Sequence, residues 1–159
     1  MKLDFDTWRA LHDLYADYAL ALDAGELQRW PDFFTDPCVY RLQSRENHER
    51  GLPLATLAFE SRGMLKDRVF GVTDTIYHDP YYQRHVVGTP RIRHVEPDGS
   101  LRCEASYVVL RTKRDALAEI LSTGRYVDHV QRSAEGLRFA ERLVIFDNDL
   151  IPNSLIAPI

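Results

Sequence analysis

The pattern of apolar residues near the N-terminus predicts a long amphipathic helix. These residues recur at steps of three and four, as expected for one face of a helix. Asp4 or Asp6 can cap the start of this helix, and Gly25 stands where a left-handed residue would end it. The predicted buried face consists of Phe5, Trp8, Leu11, Tyr15, Tyr18 and Leu22.

The following segments predict short helices around a single strand. We expect a turn of helix over residues 27–34, restarted at Pro31, and a strand over about 38–45, which is rich in Val, Tyr and Leu. Residues 46–60 predict a loop followed by a helical turn. Ser61 then begins a better helix. Its predicted packing face consists of Met64, Leu65, Arg68, Val69 and Val72.

From about residue 83 onward the pattern changes to long strands. One strand is predicted over 84–96, and Pro97-Asp98-Gly99 is a strong turn signal. Apolar and polar residues then alternate with period two over 101–109, which indicates a half-buried strand. Two further strands are predicted over about 119–132 and 137–147.

This order of elements predicts an α+β fold. Four strands follow two or three helices, so the helices should pack on one face of an antiparallel or mixed sheet. A strongly curved sheet of this kind would form a cone with a pocket at its open end. The curvature is an inference, because periodicity does not encode it.

Composition and charge exclude several functional classes. The 159 residues correspond to one domain, and a formal net charge of −4 disfavours nonspecific binding to nucleic acid or to an anionic membrane. The N-terminus carries acids where a signal peptide needs a basic and then an apolar stretch, and no window is apolar enough to span a bilayer. We therefore expect a cytoplasmic protein. Cys38 and Cys103 are too few for a disulfide framework or a four-ligand zinc site, and they predict small buried apolar residues.

The strongest candidate for a metal site is the group formed by His78, Asp79 and His85. Two histidines and one carboxylate are the ligand types of a mononuclear iron site. The spacing is poor, however, because Pro80 breaks the segment and His85 should start a strand. Histidines that are hydrogen-bonded at a loop–strand junction are the favoured interpretation. We therefore predict no metal site in this chain.

A second candidate is an acid–base pair inside the cone. Tyr18, Asp23 and Tyr40 belong to the first helix and strand, whereas His85 belongs to the sheet. If they converged, His85 and Asp23 could transfer protons while the two phenols held an oxyanion. Polar residues at such junctions more commonly cap or cross-link the core, and this structural interpretation is favoured.

Arg125 and the apolar C-terminal segment are candidates for contacts between subunits. Arg125 and Asp128 differ by an odd number of positions, so on a strand they point to opposite faces and should not pair. Arg125 is then free to anchor another carboxylate or a partner chain. The segment 150–159 should be docked rather than solvated, either on its own domain or in a subunit interface. The interface candidates are Arg125, Ile151, Pro152, Leu155, Ile156 and Ile159.

An ordered set of motifs runs nearly from end to end of the chain and resembles a known family. On these motifs the chain resembles the small (beta) subunits of Rieske non-haem iron aromatic-ring-hydroxylating oxygenases, which have an NTF2-like (SnoaL-like), cone-shaped α+β fold. The motifs are Tyr15-x-x-Tyr18-x-x-x-x-Asp23, Trp30-Pro31-x-Phe33-Phe34-Thr35, Asp67-Arg68-Val69, Tyr82-x-Arg84-His85, Gly124-Arg125-Tyr126-x-Asp128, Arg142-x-x-x-x-x-Asp147 and the apolar C-terminal segment.

Other residues resemble the hydroxybenzoate branch of this family, above all salicylate 5-hydroxylase, with anthranilate and terephthalate dioxygenases as relatives. They are the runs Tyr40-Arg41-Leu42-x-x-Arg45-Glu46-Asn47, Gly51-Leu52-Pro53-Leu54-Ala55-Thr56 and Ile151-Pro152-Asn153-Ser154.

The resemblance implies a division of labour between subunits. The large (alpha) subunit would carry the Rieske 2Fe-2S cluster, the mononuclear Fe(II) and the substrate pocket. The small subunit would be structural and would assemble with it as a three-plus-three hexamer, to which a reductase and sometimes a ferredoxin deliver electrons from NAD(P)H. The family pattern places no catalytic residue in the small subunit, and none is carried over to this chain.

Two alternatives from other functional classes stay open at this point. One is a stand-alone NTF2-like lyase or isomerase that uses His85 with Asp23, Tyr18 and Tyr40. It would require these side chains to line an open cavity within hydrogen-bond reach of one another. The other is a small-molecule binding module that performs no chemistry.

Overall fold

The N-terminal helix of the computed structural model, which describes residues 4–148 and 155–159, begins and ends as its sequence predicts. Helix α1 spans Phe5–Asp23, and the Asp4 carboxylate caps it by accepting a hydrogen bond from the Thr7 N–H at 2.6 Å. Gly25 follows with φ 72°, the left-handed conformation expected after a helix.

The buried face of α1 is shorter than predicted. Phe5 and Trp8 are 68% and 42% exposed, so their assignment to the buried face was wrong. Their rings stack on each other at 5.7 Å between centroids, and Trp8 also contacts His12. The aromatic side chains of the first turns therefore contact one another rather than the sheet, and the buried face of the helix begins at Leu11.

Tertiary contacts change the assignments around residues 45–60. A 3₁₀ helix spans Leu27–Phe33, as predicted, and α3 spans Arg62–Phe70 before a π-helical turn over Gly71–Thr75. The predicted loop instead begins with a short helix, α2 (Arg45–Glu49), because the Ser44 hydroxyl caps it by accepting from the Asn47 N–H. The predicted helical turn is strand β2 (Leu57–Phe59), because it pairs with the backbone of strand β1 (Phe34–Ser44).

The α+β class is confirmed, and the sheet is mixed. Within the described part of the chain it has seven strands, which are β1 Phe34–Ser44, β2 Leu57–Phe59, β3 Tyr81–Val87, β4 Arg91–Val95, β5 Leu101–Lys113, β6 Glu119–Ser133 and β7 Gly136–Phe146. Their order in the sheet is β2-β1-β7-β6-β5-β3, while β4 pairs with β5. Strands β1 and β7 are parallel and the other pairs are antiparallel.

The single strand predicted over 84–96 is in fact two strands. Strands β3 and β4 are separated by Gly88, Thr89 and Pro90. Pro90 has no N–H to contribute to a ladder, so the chain bends there. The Gly88 N–H still donates to the Ser106 carbonyl, which keeps both strands on the same edge of β5.

Helices α1 and α3 bury their apolar faces against one side of the sheet. The alternation predicted for β5 is confirmed, with Leu101, Cys103 and Ala105 buried between more exposed neighbours. At Gly124 the strands β6 and β7 approach so closely that a Cβ would lie 1.9 Å from the Ile145 carbonyl oxygen. Only glycine fits that position without moving a neighbouring strand.

Candidate functional site

The centre of the core holds a buried ion pair between neighbouring strands. Asp128 of β6 and Arg142 of β7 are partners in the antiparallel register, so both side chains point into the core. Arg142 donates to Asp128 from Nε at 3.1 Å and from Nη2 at 2.8 Å, and neither side chain is exposed. The Tyr15 hydroxyl of α1 donates a third hydrogen bond to Asp128.

Aromatic rings enclose the guanidinium of Arg142. Its Cζ lies 3.8 Å from the centroid of the Phe139 ring and 4.2 Å from the centroids of Tyr18 and Tyr126. Cation–π contacts of this kind are favourable once the cation is removed from water. The sequence does not reveal this cluster, although Asp128 and Arg142 both occur in its motifs, because the register of β6 and β7 cannot be read from local patterns.

Burial sets the titration behaviour of this cluster. It raises the pKa of the Asp128 carboxyl, and the adjacent Arg142 guanidinium opposes that rise. Burial and the neighbouring Asp128 raise the pKa of the Tyr15 phenol well above its usual value. The buried ion pair and its hydrogen bond to Tyr15 therefore link α1 to strands β6 and β7.

The structure brings His85 and Asp23 together, as the acid–base hypothesis required. His85 Nδ1 lies 2.6 Å from Asp23 Oδ1, and the His85 backbone N–H donates to both carboxylate oxygens at 3.0 Å. The His85 side chain is completely buried, and its Nε2 has no hydrogen-bond partner within the described ranges. The pair therefore joins the end of α1 to β3.

Tyr18 and Tyr40 meet a different partner, the C-terminal segment. Both hydroxyls donate to the Ile159 carbonyl oxygen, at 2.9 Å from Tyr18 and 3.1 Å from Tyr40. The Ile159 N–H donates back to the Tyr40 oxygen at 3.2 Å, and Trp30 Nε1 donates to the Tyr18 oxygen at 3.1 Å. The four residues of the acid–base hypothesis are thus divided: His85 binds Asp23, whereas Tyr18 and Tyr40 both bind Ile159.

The cavities that border Asp23 do not join these two pairs. One has about 530 Å³ and the other, which also borders His85, about 410 Å³, and neither is lined by Tyr18 or Tyr40. Both phenols are buried, and desolvation raises the pKa of each. The arrangement corresponds to packed and paired side chains rather than to a site open to substrate.

The candidate metal ligands go to separate partners. His85 is held by Asp23, the Asp79 carboxylate lies 3.1 Å from Lys113 Nζ, and the His78 ring packs against Tyr81. Within residues 4–148 and 155–159, no three His, Cys, Asp or Glu side chains gather into a metal-binding group. No helix in the same ranges is long and apolar enough to cross a membrane.

The candidate interface residues lie in different environments. Arg125 and Asp128 do not pair, as their spacing predicts, and the Arg125 side chain is 36% exposed with Nε 3.9 Å from the Glu104 carboxylate. Ile156 and Ile159 are buried in the domain itself, and Leu155 packs beside that core. Ile151 and Pro152 lie outside the described residues. The role of these residues in subunit contacts stays a prediction.

The comparisons with known proteins agree with one another. The family model described as "Ring hydroxylating beta subunit" matches residues 17–153. The chain is 31% identical over 156 residues to the anthranilate 1,2-dioxygenase small subunit of Burkholderia cepacia, covering 98% of this chain and 96% of that protein. It is 27% identical to the beta 1 subunit of the terminal oxygenase component of terephthalate 1,2-dioxygenase from Comamonas sp., covering 91% and 93%.

Two solved structures share the fold of this chain. A beta subunit assigned to an aromatic-ring-hydroxylating dioxygenase of Novosphingobium aromaticivorans superposes with a TM-score of 0.86 at 38% identity, covering 95% of each chain. The beta subunit of benzoate 1,2-dioxygenase from Burkholderia mallei has the same fold, with a TM-score of 0.75 at 15% identity and coverage of 96% and 97%.

Proposed function

This chain belongs to the beta subunit family of ring-hydroxylating dioxygenases, and from that premise we propose that it is the structural, non-catalytic small subunit of a Rieske oxygenase for a hydroxybenzoate or an aminobenzoate. The observation that carries the proposal is the 31% identity, over nearly the whole chain, to the small subunit of an anthranilate dioxygenase, because anthranilate is an aminobenzoate. The residues that resemble salicylate 5-hydroxylase favour the hydroxybenzoate.

The proposal assigns the cofactors to the large subunit. A Rieske centre takes two cysteine and two histidine ligands. Cys38 and Cys103 lie on β1 and β5, and β7 and β6 stand between those strands in the sheet. The residues present therefore do not fit such a cluster. The 2Fe-2S cluster and the mononuclear iron would sit in the partner chain, which a ferredoxin or reductase supplies with electrons.

The interior of the domain supports a structural role. His85, Tyr18 and Tyr40 are the residues on which the lyase or isomerase alternative depends, and each is buried with a polar partner from its own chain. A closed, cone-shaped sheet is part of the proposal. It would serve as a stiff body against which the large subunits assemble in a three-plus-three hexamer.

We place Arg125 in the contact with the large subunit. It lies on the face of β6 opposite Asp128, and its neighbours across the sheet are Ser106 and Ile145. Its interaction with Glu104 is long, so the guanidinium can bind a carboxylate of another chain without losing a strong internal partner.

Co-expression with the large subunit tests this placement. Arg125→Glu should reduce the amount of hexamer, measured by light scattering, at least tenfold at equal concentration. Arg9→Glu is the matched control, because Arg9 is exposed on α1 and only loosely paired with Asp13. Equal assembly of both variants would contradict the role of Arg125. A wild-type chain with no affinity for the large subunit would contradict the proposed function itself.

Truncation after residue 149 is a weaker test of the interface. It should impair assembly, but it also removes Ile156 and Ile159 from the core of the domain. Loss of assembly could therefore result either from a lost subunit contact or from a destabilised core. The Arg125 variant avoids this ambiguity when its melting temperature matches that of the wild type, because it removes no apolar residue from the core.

The substrate class is tested on the assembled enzyme. With reductase and NADH present, the complex should convert salicylate or anthranilate faster than terephthalate, as measured by chromatography of the products. Preference for terephthalate would contradict the proposed substrate class without affecting the structural role of this chain.

A further inference from the structure

Residues 155–159 occupy a position in which the surrounding side chains are arranged like a small-molecule site. The Ile159 carbonyl oxygen accepts hydrogen bonds from two phenols, and its N–H donates to one of them. Ile159 is 1% exposed. Convergent donors on one buried carbonyl oxygen, with aromatic rings around them, are features of ligand pockets.

Aromatic side chains surround this position, and some polar groups near it have no hydrogen-bond partner among the described residues. Trp30 and Tyr40 pack edge to face with centroids 5.1 Å apart. The Arg142 guanidinium lies against the Tyr18 ring, and its Nη1 is buried without a hydrogen-bond partner in the described part of the chain. The same guanidinium lies over the Tyr126 ring, and the Tyr126 hydroxyl is likewise buried and unpartnered there. Buried polar groups of this kind are normally satisfied, so unpartnered ones point to a ligand or water that they can bind.

Two residues that are not part of the walls contact the C-terminal segment, Tyr81 at the Ala157 backbone and Arg68 at the outer end. Arg68 of α3 donates from Nη2 to the carbonyl oxygens of Leu155 and Ile156, at 2.9 and 3.0 Å. The neighbouring Arg62 makes no such contact and pairs instead with Asp32 at 2.7 Å. Arg68 therefore contributes to docking of the segment and can be changed while the walls stay intact.

We propose that residues 155–159 are a tethered occupant of a latent binding site for small aromatic carboxylates, formed by Tyr18, Trp30, Tyr40, Tyr126 and Arg142. A carboxylate oxygen would replace the Ile159 carbonyl between the two phenols. The ring would fill the space of the isoleucine side chain against the aromatic walls. An apolar cavity of about 150 Å³ is enough to bind benzene, so release of the segment must open at least that volume. The ligand and the segment compete, and the site is closed while the segment is docked.

The test is benzoate binding to the full-length chain, followed by Trp30 fluorescence. The chain has two tryptophans, and a Trp8→Phe background leaves Trp30 as the only one. Arg68→Ala should release the segment and lower the Kd for benzoate at least tenfold relative to Arg62→Ala, the matched control. Adding Tyr40→Phe should reverse most of that gain. Toluene, which has no carboxylate, should bind more weakly than benzoate.

A second variant, lacking residues 155–159, covers the case in which Arg68→Ala unfolds or leaves the segment docked. Near-UV circular dichroism confirms the fold, and amide exchange over 155–159 reports release in the Arg68→Ala variant. A folded variant with the segment released or deleted that binds benzoate no more tightly than Arg62→Ala would overturn the proposal. Equal binding of toluene and benzoate would overturn the carboxylate assignment. Neither result concerns assembly with the large subunit, so the proposed function is tested separately.

Discussion

Removing one partner of the buried pair between Asp128 and Arg142 should destabilise the protein strongly. Asp128→Asn leaves a guanidinium that cannot lose its proton, inside a core where neither side chain is exposed. Breaking a buried pair in this way costs about 3–5 kcal/mol. Because a domain of this size has a free energy of unfolding of about 5–15 kcal/mol, the loss should be a large fraction of the total.

Arg142→Met should behave differently with pH. The remaining Asp128 carboxyl can take up a proton, and burial already raises its pKa above the unfolded value of about 3.9. A group with a raised folded pKa contributes stability that is present at low pH and lost as pH rises through that pKa. The Arg142→Met variant should therefore be more stable at pH 5 than at pH 8, relative to the wild type. Asp128→Asn should show no such gain.

The assay is urea unfolding followed by circular dichroism, with the double variant Asp128→Leu/Arg142→Met completing the comparison. The double variant should lose much less stability than the sum of the single variants, because no buried charge is left unpaired. The matched control is Arg9→Met, whose exposed pair with Asp13 at 3.6 Å should contribute at most about 1 kcal/mol. The reasoning would be refuted if each single variant lowered the free energy of unfolding by less than about 1 kcal/mol. It would also be refuted if the losses of the two single variants summed to the loss of the double variant.

Three further predictions concern backbone fit, thiol reactivity and pH. Gly124→Ala should lower the free energy of unfolding by about 1–3 kcal/mol or more, because its Cβ would lie 1.9 Å from the Ile145 carbonyl oxygen of β7. Gly63→Ala is the control in the same urea assay and should be tolerated, because the nearest atom to its Cβ would be 3.6 Å away. Burial raises the pKa of Cys38 to about 11 and that of Cys103 to about 12, so both thiols should resist Ellman's reagent at pH 8 and react fully in guanidinium; fast reaction of the native protein would contradict this. Burial lowers the pKa of His129, so stability should fall as pH drops below about 6.5, and His129→Gln should show a smaller fall in melting temperature between pH 7 and pH 5. Identical falls in the two proteins would exclude a contribution from this histidine.

Local signals in the sequence determined the elements that depend on neighbouring residues. Asp4 caps α1 because its acceptor and the Thr7 N–H are three residues apart. The period-two pattern of β5 was readable because alternate side chains of a strand face opposite sides. The ordered motifs were sufficient to indicate the family that the comparisons later showed.

Tertiary structure decided every feature that joins distant parts of the chain. Strand β2 forms because its backbone pairs with the edge of β1. The hydrogen bond between Tyr15 and Asp128 joins residues that are 113 positions apart in the sequence. The contact of Tyr18 with Ile159 spans 141 residues, and it holds Tyr18 apart from the pair formed by His85 and Asp23. Such contacts depend on strand register and on the packing of α1, which no local pattern encodes. The sequence alone therefore identified most of the elements and the family, whereas strand β2, the buried ion pair and the docked position of residues 155–159 were decided by the packing of the whole domain.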